Sequence, residues 1–369
     1  MEKNIFTYIQ QYYPDFILLE WPFAFLVFFL FAFLIINVLA IVAGLATYAE
    51  RKISADIQAR IGPNRVGPYG LLQFLADGVK MILKEDIIPE GVDKLLFKLA
   101  PLLCLIGVFF STLVLPFSEF FVLFNSDVGV FYLLGLSTLI GVGIFLGGYS
   151  SNSKWSLLGG MRSASQIVSY EIPMTIVALT IVLLGQGLSL SHLTSKQGIF
   201  PWNWYLFHNP FTFISFFVYF VAGLAETNRA PFDLPEAESE LVSGYHTEYS
   251  GMRFAFFALA EYIEVFVLCA LAVVLFLGGN NAPSFGLDPS HLFLQFLQTL
   301  IFFLKTFLLY YIVIWVRWTL PRLRVDQLMS LCWKYLTPIA LFNLVGCAIW
   351  IWIFKGKSIG QICLSFFGL

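Results

Sequence analysis

Apolar runs of near-uniform length, separated by short polar segments, set the rhythm of this chain. They cover about 22–46, 99–117, 130–148, 167–187, 211–227, 253–277, 293–316 and 336–354. Crossing roughly 30 Å of hydrocarbon takes roughly 20 apolar helical residues. The pattern therefore predicts an all-α polytopic membrane protein, with about eight transmembrane helices in a single membrane domain over residues 1–369. Residues 69–85 follow another rule. Gln73, Asp77, Lys80 and Lys84 recur at helical spacing and form one polar stripe. Leu71, Leu72, Leu75, Val79, Ile82 and Leu83 cover the other side. A segment this short, carrying Asp77, Lys80 and Lys84, fits an amphipathic helix lying in the membrane interface. A short buried helix of a cytoplasmic subdomain is the alternative. Pro63 and Pro68 end the preceding segment and set the turn into it.

Composition agrees with this reading. The chain is 59% hydrophobic and 12% charged, about half the charge of a soluble domain. The N-terminal MEKNIFTYIQQYYPDF mixes acids with bases and offers no apolar stretch before a small-residue site, unlike a cleavable signal. Of the five cysteines (Cys104, Cys269, Cys332, Cys347 and Cys363), none forms a C-x-x-C pair, and the four histidines are scattered. Metal, haem and iron–sulfur spacings are missing, so no redox centre or metal is expected in this chain. Four of the cysteines fall in or beside apolar segments, as small hydrophobes do.

Charge sets orientation. With eight spans, the odd-numbered loops carry sixteen of the 21 Lys and Arg residues. The positive-inside rule puts those loops in the cytoplasm, or its organellar equivalent, and turns both termini outward.

Four charged clusters lie on that side. They are YAERKISADIQARIGPNRVGP at 48–68, GGMRSASQIVSYEIP at 159–173, AETNRAPFDLPEAESELVSGYHTEYSG at 225–251 and RWTLPRLRVDQLMSLCWK at 317–334. The third is the most informative. Glu226, Asp233, Glu236, Glu238, Glu240 and Glu248 stand between two apolar spans with Arg229 as the only cation among them. Ionisable groups near bilayer depth are expensive and mark functional sites. Carboxylates crowded in low dielectric cannot all ionise together, which suits proton handling. A plainer account covers part of this loop: Asp233, Glu236 and Glu238 read as a helix start with first-turn acids. It leaves out Glu226, at the end of the fifth span, and Glu248. Glu171, just before Pro173, reads equally as a first-turn acid of the fourth span. Glu261 and Glu264 share a helix face, and Lys305 is a candidate counter-charge or structural ion pair for them.

Taken together and in this order, ERKISADIQARIGPNRVGPYG, SYEIP, the whole third cluster and LPRLRVDQLM resemble one family. It is the membrane subunit of NADH-quinone oxidoreductase, respiratory complex I, that adjoins the quinone site and is called subunit 1 in mitochondria. The resemblance runs from about residue 22 to 354 and implies several things. The chain would bind no cofactor, with quinone as the substrate and FMN and iron–sulfur clusters in partner subunits. Peripheral iron–sulfur subunits would roof a quinone chamber, with antiporter-like and small membrane subunits alongside. The first span, the interfacial helix and the sixth span would border quinone access. Carried over by motif, Glu50, Arg51, Lys52, Arg60 and Asp77 belong to the chamber and first loop. Gln166, Tyr170, Glu171, Glu226, Arg229, Asp233, Glu236, Glu238, Glu240, Glu248, Arg317, Arg322, Arg324 and Asp326 belong to proton and charge coupling. The location would be a bacterial inner membrane or its organellar equivalent. Two rivals use the same features. One is the membrane anchor of a related hydrogenase or ferredoxin-linked complex. The other is a stand-alone secondary transporter, whose usual paired repeats and midplane site have no counterpart in this sequence.

Overall fold

Inside hydrocarbon every backbone N–H and C=O must be satisfied within the segment, so apolar runs become helices. The computed structural model describes residues 21–119, 121–235, 238–283 and 291–355, without the side chains of 21–28, 31, 238 and 239. Among the described residues the regular elements are all helical. They are α1 (Trp21–Ile57), α2 (Gln73–Leu83), α3 (Lys94–Thr112), α4 (Gly129–Ser150), α5 (Lys154–Gly185) and α6 (Leu190–Lys196). There follow α7 (Pro210–Glu226), α8 (Glu238–Leu241), α9 (Gly251–Phe276), α10 (Leu292–Thr319), α11 (Val325–Ser330) and α12 (Thr337–Phe354). A π-helical turn, Leu331–Leu336, joins the last two into one continuous segment.

The protein is polytopic and all-α. Seven helical segments are long and apolar enough to cross a membrane, and the eighth predicted span is the shorter, 17-residue α7. Polar side chains close several ends. Asp93 accepts from the Leu95 and Leu96 amides at the start of α3, and Asn209 forms a reciprocal capping box with Thr212 on α7.

Three boundaries differ from expectation. Helix α1 does not stop near residue 46 but carries Glu50, Arg51 and Lys52 on its last turns. At 1.5 Å per residue it is about 55 Å long, well beyond the hydrocarbon core. Helix α5 begins at Lys154, so the second cluster is the first half of a helix, and Glu171 sits mid-helix with Pro173 inside. The polar residues there do not end the helix, because Ser156, Ser163 and Gln166 are buried against neighbours. The last span starts at Val325, not near 336.

Helix α9 is the hub. In its most apolar window 83% of residues are buried, against 17% in α1. It touches α1, α2, α3, α6, α7 and α10. Helices α3, α4, α5, α7 and α12 pack on one another beside it. Small residues permit the tightest approach. A Cβ on Gly159 of α5 would meet Gly244 Cα at 2.9 Å, so glycine here lets the second cluster lie directly on the third.

Candidate functional site

The site begins where α7 ends. Thr227 closes the helix, and Asn228 follows in the left-handed conformation at φ 50°, a common helix-terminating geometry. The reversed chain delivers Arg229 into the interior, where it is 3% exposed. Its Nη1 lies 3.2 Å from Glu50 Oε2 and its Nε 3.0 Å from Glu261 Oε1. The guanidinium also sits 4.5 Å over the Tyr262 ring, a cation–π arrangement. Burial disfavours the charge on Arg229, and Glu261 and Glu50 more than restore it. Glu50 accepts a second guanidinium, from Arg317. Two arginines and two glutamates thus form one network, balanced in charge, from segments far apart in sequence.

The network borders a cavity of about 640 Å³, within the usual size range of ligand sites. Ala40 and Ile41 of α1, Leu75, Val79 and Ile82 of α2, and Phe254 and Ala258 of α9 supply apolar wall. Arg51, Asp77, Arg229, Glu261 and Arg317 supply charge. Helix α2 is tethered there by Asp77, which meets Arg51 at 2.6 Å and Lys80 at 2.8 Å and accepts from Gln73 at 3.1 Å. Burial opposes the charge on Asp77, but Lys80, Gln73 and Arg51 outweigh it and hold the carboxyl below its ordinary value. His246 also lines the cavity, and burial pushes its pKa down to about 4, so the imidazole is neutral at pH 7.

Carboxyl groups continue inward from the cavity. Glu261 lines both the large cavity and a small one, which also reaches Glu264. Glu264 lines in turn a second small cavity with Glu226. Glu226 and Glu264 are 3% and 7% exposed. Glu261 and Glu264 were legible in the sequence only as acids one helical turn apart. Their place between the large cavity and Glu226 arises from the packing of α9 on α3 and α7.

The remaining predicted residues divide by position. Gln166 donates to the carbonyls of Ala225 and Phe232, at 2.7 and 2.8 Å, and so holds the third cluster in place. Tyr170 donates to the Leu328 carbonyl at 2.8 Å, joining the second cluster to the fourth. Asp233 pairs with Arg322 at 3.2 Å and so cross-links the third cluster to the fourth, while residues 236 and 237, where a helix capped by it would begin, lie outside the described residues. Arg162 and Glu240 pair at 2.7 Å. Glu171 and Glu248 are half-buried. Arg60, Arg324 and Asp326 are exposed, and Lys52 lies over the Tyr48 ring, away from the cavity lining. Glu236 lies outside the described residues, as does the side chain of Glu238. Lys305 is not the counter-charge of Glu261 or Glu264. Its Nζ donates to the carbonyls of Leu277 and Gly279 at 2.8 and 3.1 Å, over the Trp204 ring. Cys104, Cys269, Cys332 and Cys347 are free and buried, and Cys363 lies outside the described residues.

These features define a polytopic helical membrane protein whose charged interior opens on a large amphiphilic cavity. Its sequence matches the NADH dehydrogenase family over residues 28–348, and the chain belongs to that family. It is 46% identical to an NADH-quinone oxidoreductase subunit of Anaeromyxobacter dehalogenans, covering 86% of this chain and 80% of the relative. It is 48% identical to the subunit of the same name from Chlorobium luteolum, covering 82% and 83%. With NADH-quinone oxidoreductase subunit 8 of Rhodothermus marinus it shares 45% identity over 88% of this chain and 97% of the relative.

Proposed function

We propose that this chain is the quinone-module membrane subunit of a proton-pumping NADH-quinone oxidoreductase. The cavity bounded by α1, α2 and α9 is the membrane part of its quinone chamber. The observation that carries this is the amphiphilic wall: aliphatic residues of α1 and α2 suit an isoprenoid tail, and the charges at Arg51, Asp77, Arg229, Glu261 and Arg317 suit a polar headgroup. The chain supplies no redox centre. FMN and iron–sulfur clusters reside in partner subunits, and electrons reach quinone from peripheral iron–sulfur subunits seated over the cytoplasmic clusters. Antiporter-like and small membrane subunits flank the helices. The membrane is a bacterial inner membrane or its organellar equivalent, with both termini outward.

In this reading quinone reduction changes the charge beside Arg229 and Glu261. Arg229 shares its charge between Glu50 and Glu261, so a new negative charge in the chamber weakens its hold on Glu261. A carboxylate that loses its cation in low dielectric takes up a proton. The change passes from Glu261 through Glu264 to Glu226, while Glu171, Asp233, Glu240 and the cross-linking arginines set the positions of the loops around it.

Purification of the tagged chain in mild detergent tests the assignment. Flavin and iron–sulfur subunits together with antiporter-like subunits are the expected co-purifying set. A hydrogenase large subunit in their place would move the chain to the hydrogenase-anchor alternative.

A further inference from the structure

Two small cavities meet at Glu264, and each is bordered by a buried polar residue with unfilled hydrogen-bonding capacity. The first is about 20 Å³ and is lined by Glu226, Glu264, Ser111, Ser137 and Tyr219 among others. Both carboxylate oxygens of Glu226 are buried there, and the nearby Ser137 hydroxyl, which could donate to them, is directed at the Leu134 carbonyl at 2.8 Å. The second is about 10 Å³, with Glu261, Glu264, Cys104 and Asn228 in its wall. Asn228 is 6% exposed, and its Oδ1 is likewise buried without a partner. Ile140 and Glu264 are the residues common to both walls.

Buried polar atoms in native proteins almost always have a partner, from the chain or from ordered water. A polar cavity of about 10–15 Å³ is the size at which one water fits, given two to four polar neighbours. Those neighbours are present. Ser111, Ser137 and Tyr219 donate to the carbonyls of Val108, Leu134 and Leu268 at 2.7, 2.8 and 3.1 Å. Each hydroxyl therefore keeps lone pairs that can accept from a water.

The left-handed backbone at position 228 admits glycine or asparagine. A left-handed residue just past a helix is most often glycine, which adopts that conformation without strain. Asparagine tolerates it and adds a side chain whose oxygen is left unpaired in the wall of a water-sized cavity.

We infer that each cavity holds an ordered water, one bonded to Glu226 and one to Asn228. Asn228 is then a positioning residue: it holds the water through which Glu261 and Glu264 exchange a proton. The inference rests on the coupling role proposed above. Each hop is balanced, because the water accepts a proton from one carboxylic acid as it releases one to the other carboxylate. Glu264 lines both cavities, so transfer between the two waters passes through its carboxyl.

The test compares Asn228→Gly, Glu226→Gln and wild type in the whole complex, reconstituted in liposomes. Asn228→Gly is expected to lower quinone-linked proton pumping about tenfold, the scale of one lost hydrogen bond to a buried group. Its solvent deuterium isotope effect should rise, while NADH oxidation by an artificial acceptor stays at the wild-type rate. A merely structural asparagine predicts the opposite, since glycine suits this backbone as well or better. Normal pumping in Asn228→Gly beside impaired pumping in Glu226→Gln overturns the water relay alone. Normal pumping in both overturns the coupling role beneath it. Should the glycine complex fail to assemble, a high-resolution map of the wild-type complex decides: a water within hydrogen-bond distance of Asn228 Oδ1 supports the relay, and a dry cavity overturns it.

Discussion

The middle of α9 and its C-terminal end are built on different electrostatic principles. At its middle, Glu261 pairs with Arg229 and, with Glu264, lines the buried cavities, and the buried cation is held by two carboxylates and an aromatic face. At its C-terminal end, Lys305 is held by backbone carbonyls and an aromatic face, beside Gln197, which donates to the Val274 carbonyl at 2.8 Å and accepts from the Gly278 amide at 2.9 Å. A cation suits the carbonyl end of a helix, where the last peptide groups lack partners and the dipole is negative. Lys305 therefore answers fixed partial charges that no chemistry changes. Arg229 answers full charges that a proton can remove. The first arrangement is a structural cap and the second can respond to redox events in the cavity.

The difference predicts unequal consequences. Arg229→Met should have the largest effect, because it leaves Glu50 and Glu261 buried with one guanidinium fewer between them. Breaking a buried pair by removing one partner costs about 3–5 kcal/mol. The expected outcome is a sharp loss of assembled complex on native gels, with quinone reductase activity lost in parallel. Wild-type assembly and activity would erase the contrast with Lys305. Lys305→Met should be milder. It removes two hydrogen bonds and a cation–π contact, about 1–2 kcal/mol together. Thermal melting should occur at lower temperature with protons pumped per electron unchanged. A changed ratio would mean that Lys305 belongs to the responsive part of the molecule after all.

The smallest effect is expected at Asp77, on the exposed side of the cavity. Its carboxyl is held below the ordinary 3.8 in the folded protein, with burial opposing and Lys80, Gln73 and Arg51 outweighing it. A lowered folded value means that its contribution is fully present above about pH 3.8 and is lost as pH falls through the lowered value. Because its partners are exposed, that contribution is about 0.5 kcal/mol or less. Asp77→Asn should speed amide hydrogen exchange slightly over residues 73–83 at pH 7, and the difference should shrink as pH falls below 3.8 through the lowered value. An effect that does not diminish with falling pH would locate the role of Asp77 outside its charge.

What the sequence revealed follows from the range of each interaction. The spans were legible because crossing hydrocarbon imposes a local rule on composition. The stripe on α2 was legible because helical periodicity is local too. Helix ends at charged segments were not: the polar residues of 154–166 read as a loop, yet they continue α5, since burial of Ser156, Ser163 and Gln166 depends on what packs there. The same limit applies to pairing. Glu50 and Arg229 are 179 positions apart, Glu50 and Arg317 are 267 apart, and no spacing rule connects them. Lys305 was assigned to acids because charges suggest charges, whereas its partners are carbonyls that every residue possesses. Asp233 pairs with Arg322, 89 positions away, which no local pattern announces. His246, scattered in sequence, lines the large cavity only through the fold.

The central claim is that charge changes in the large cavity reach the carboxyl groups beyond it and drive proton movement. Glu226→Gln tests it most directly, since the amide keeps the shape of the buried side chain and removes its proton chemistry. In liposomes containing the whole complex, proton uptake or release per NADH oxidised should fall severalfold or more, with NADH oxidation by an artificial acceptor preserved. Normal pumping by an assembled Glu226→Gln complex would contradict the account.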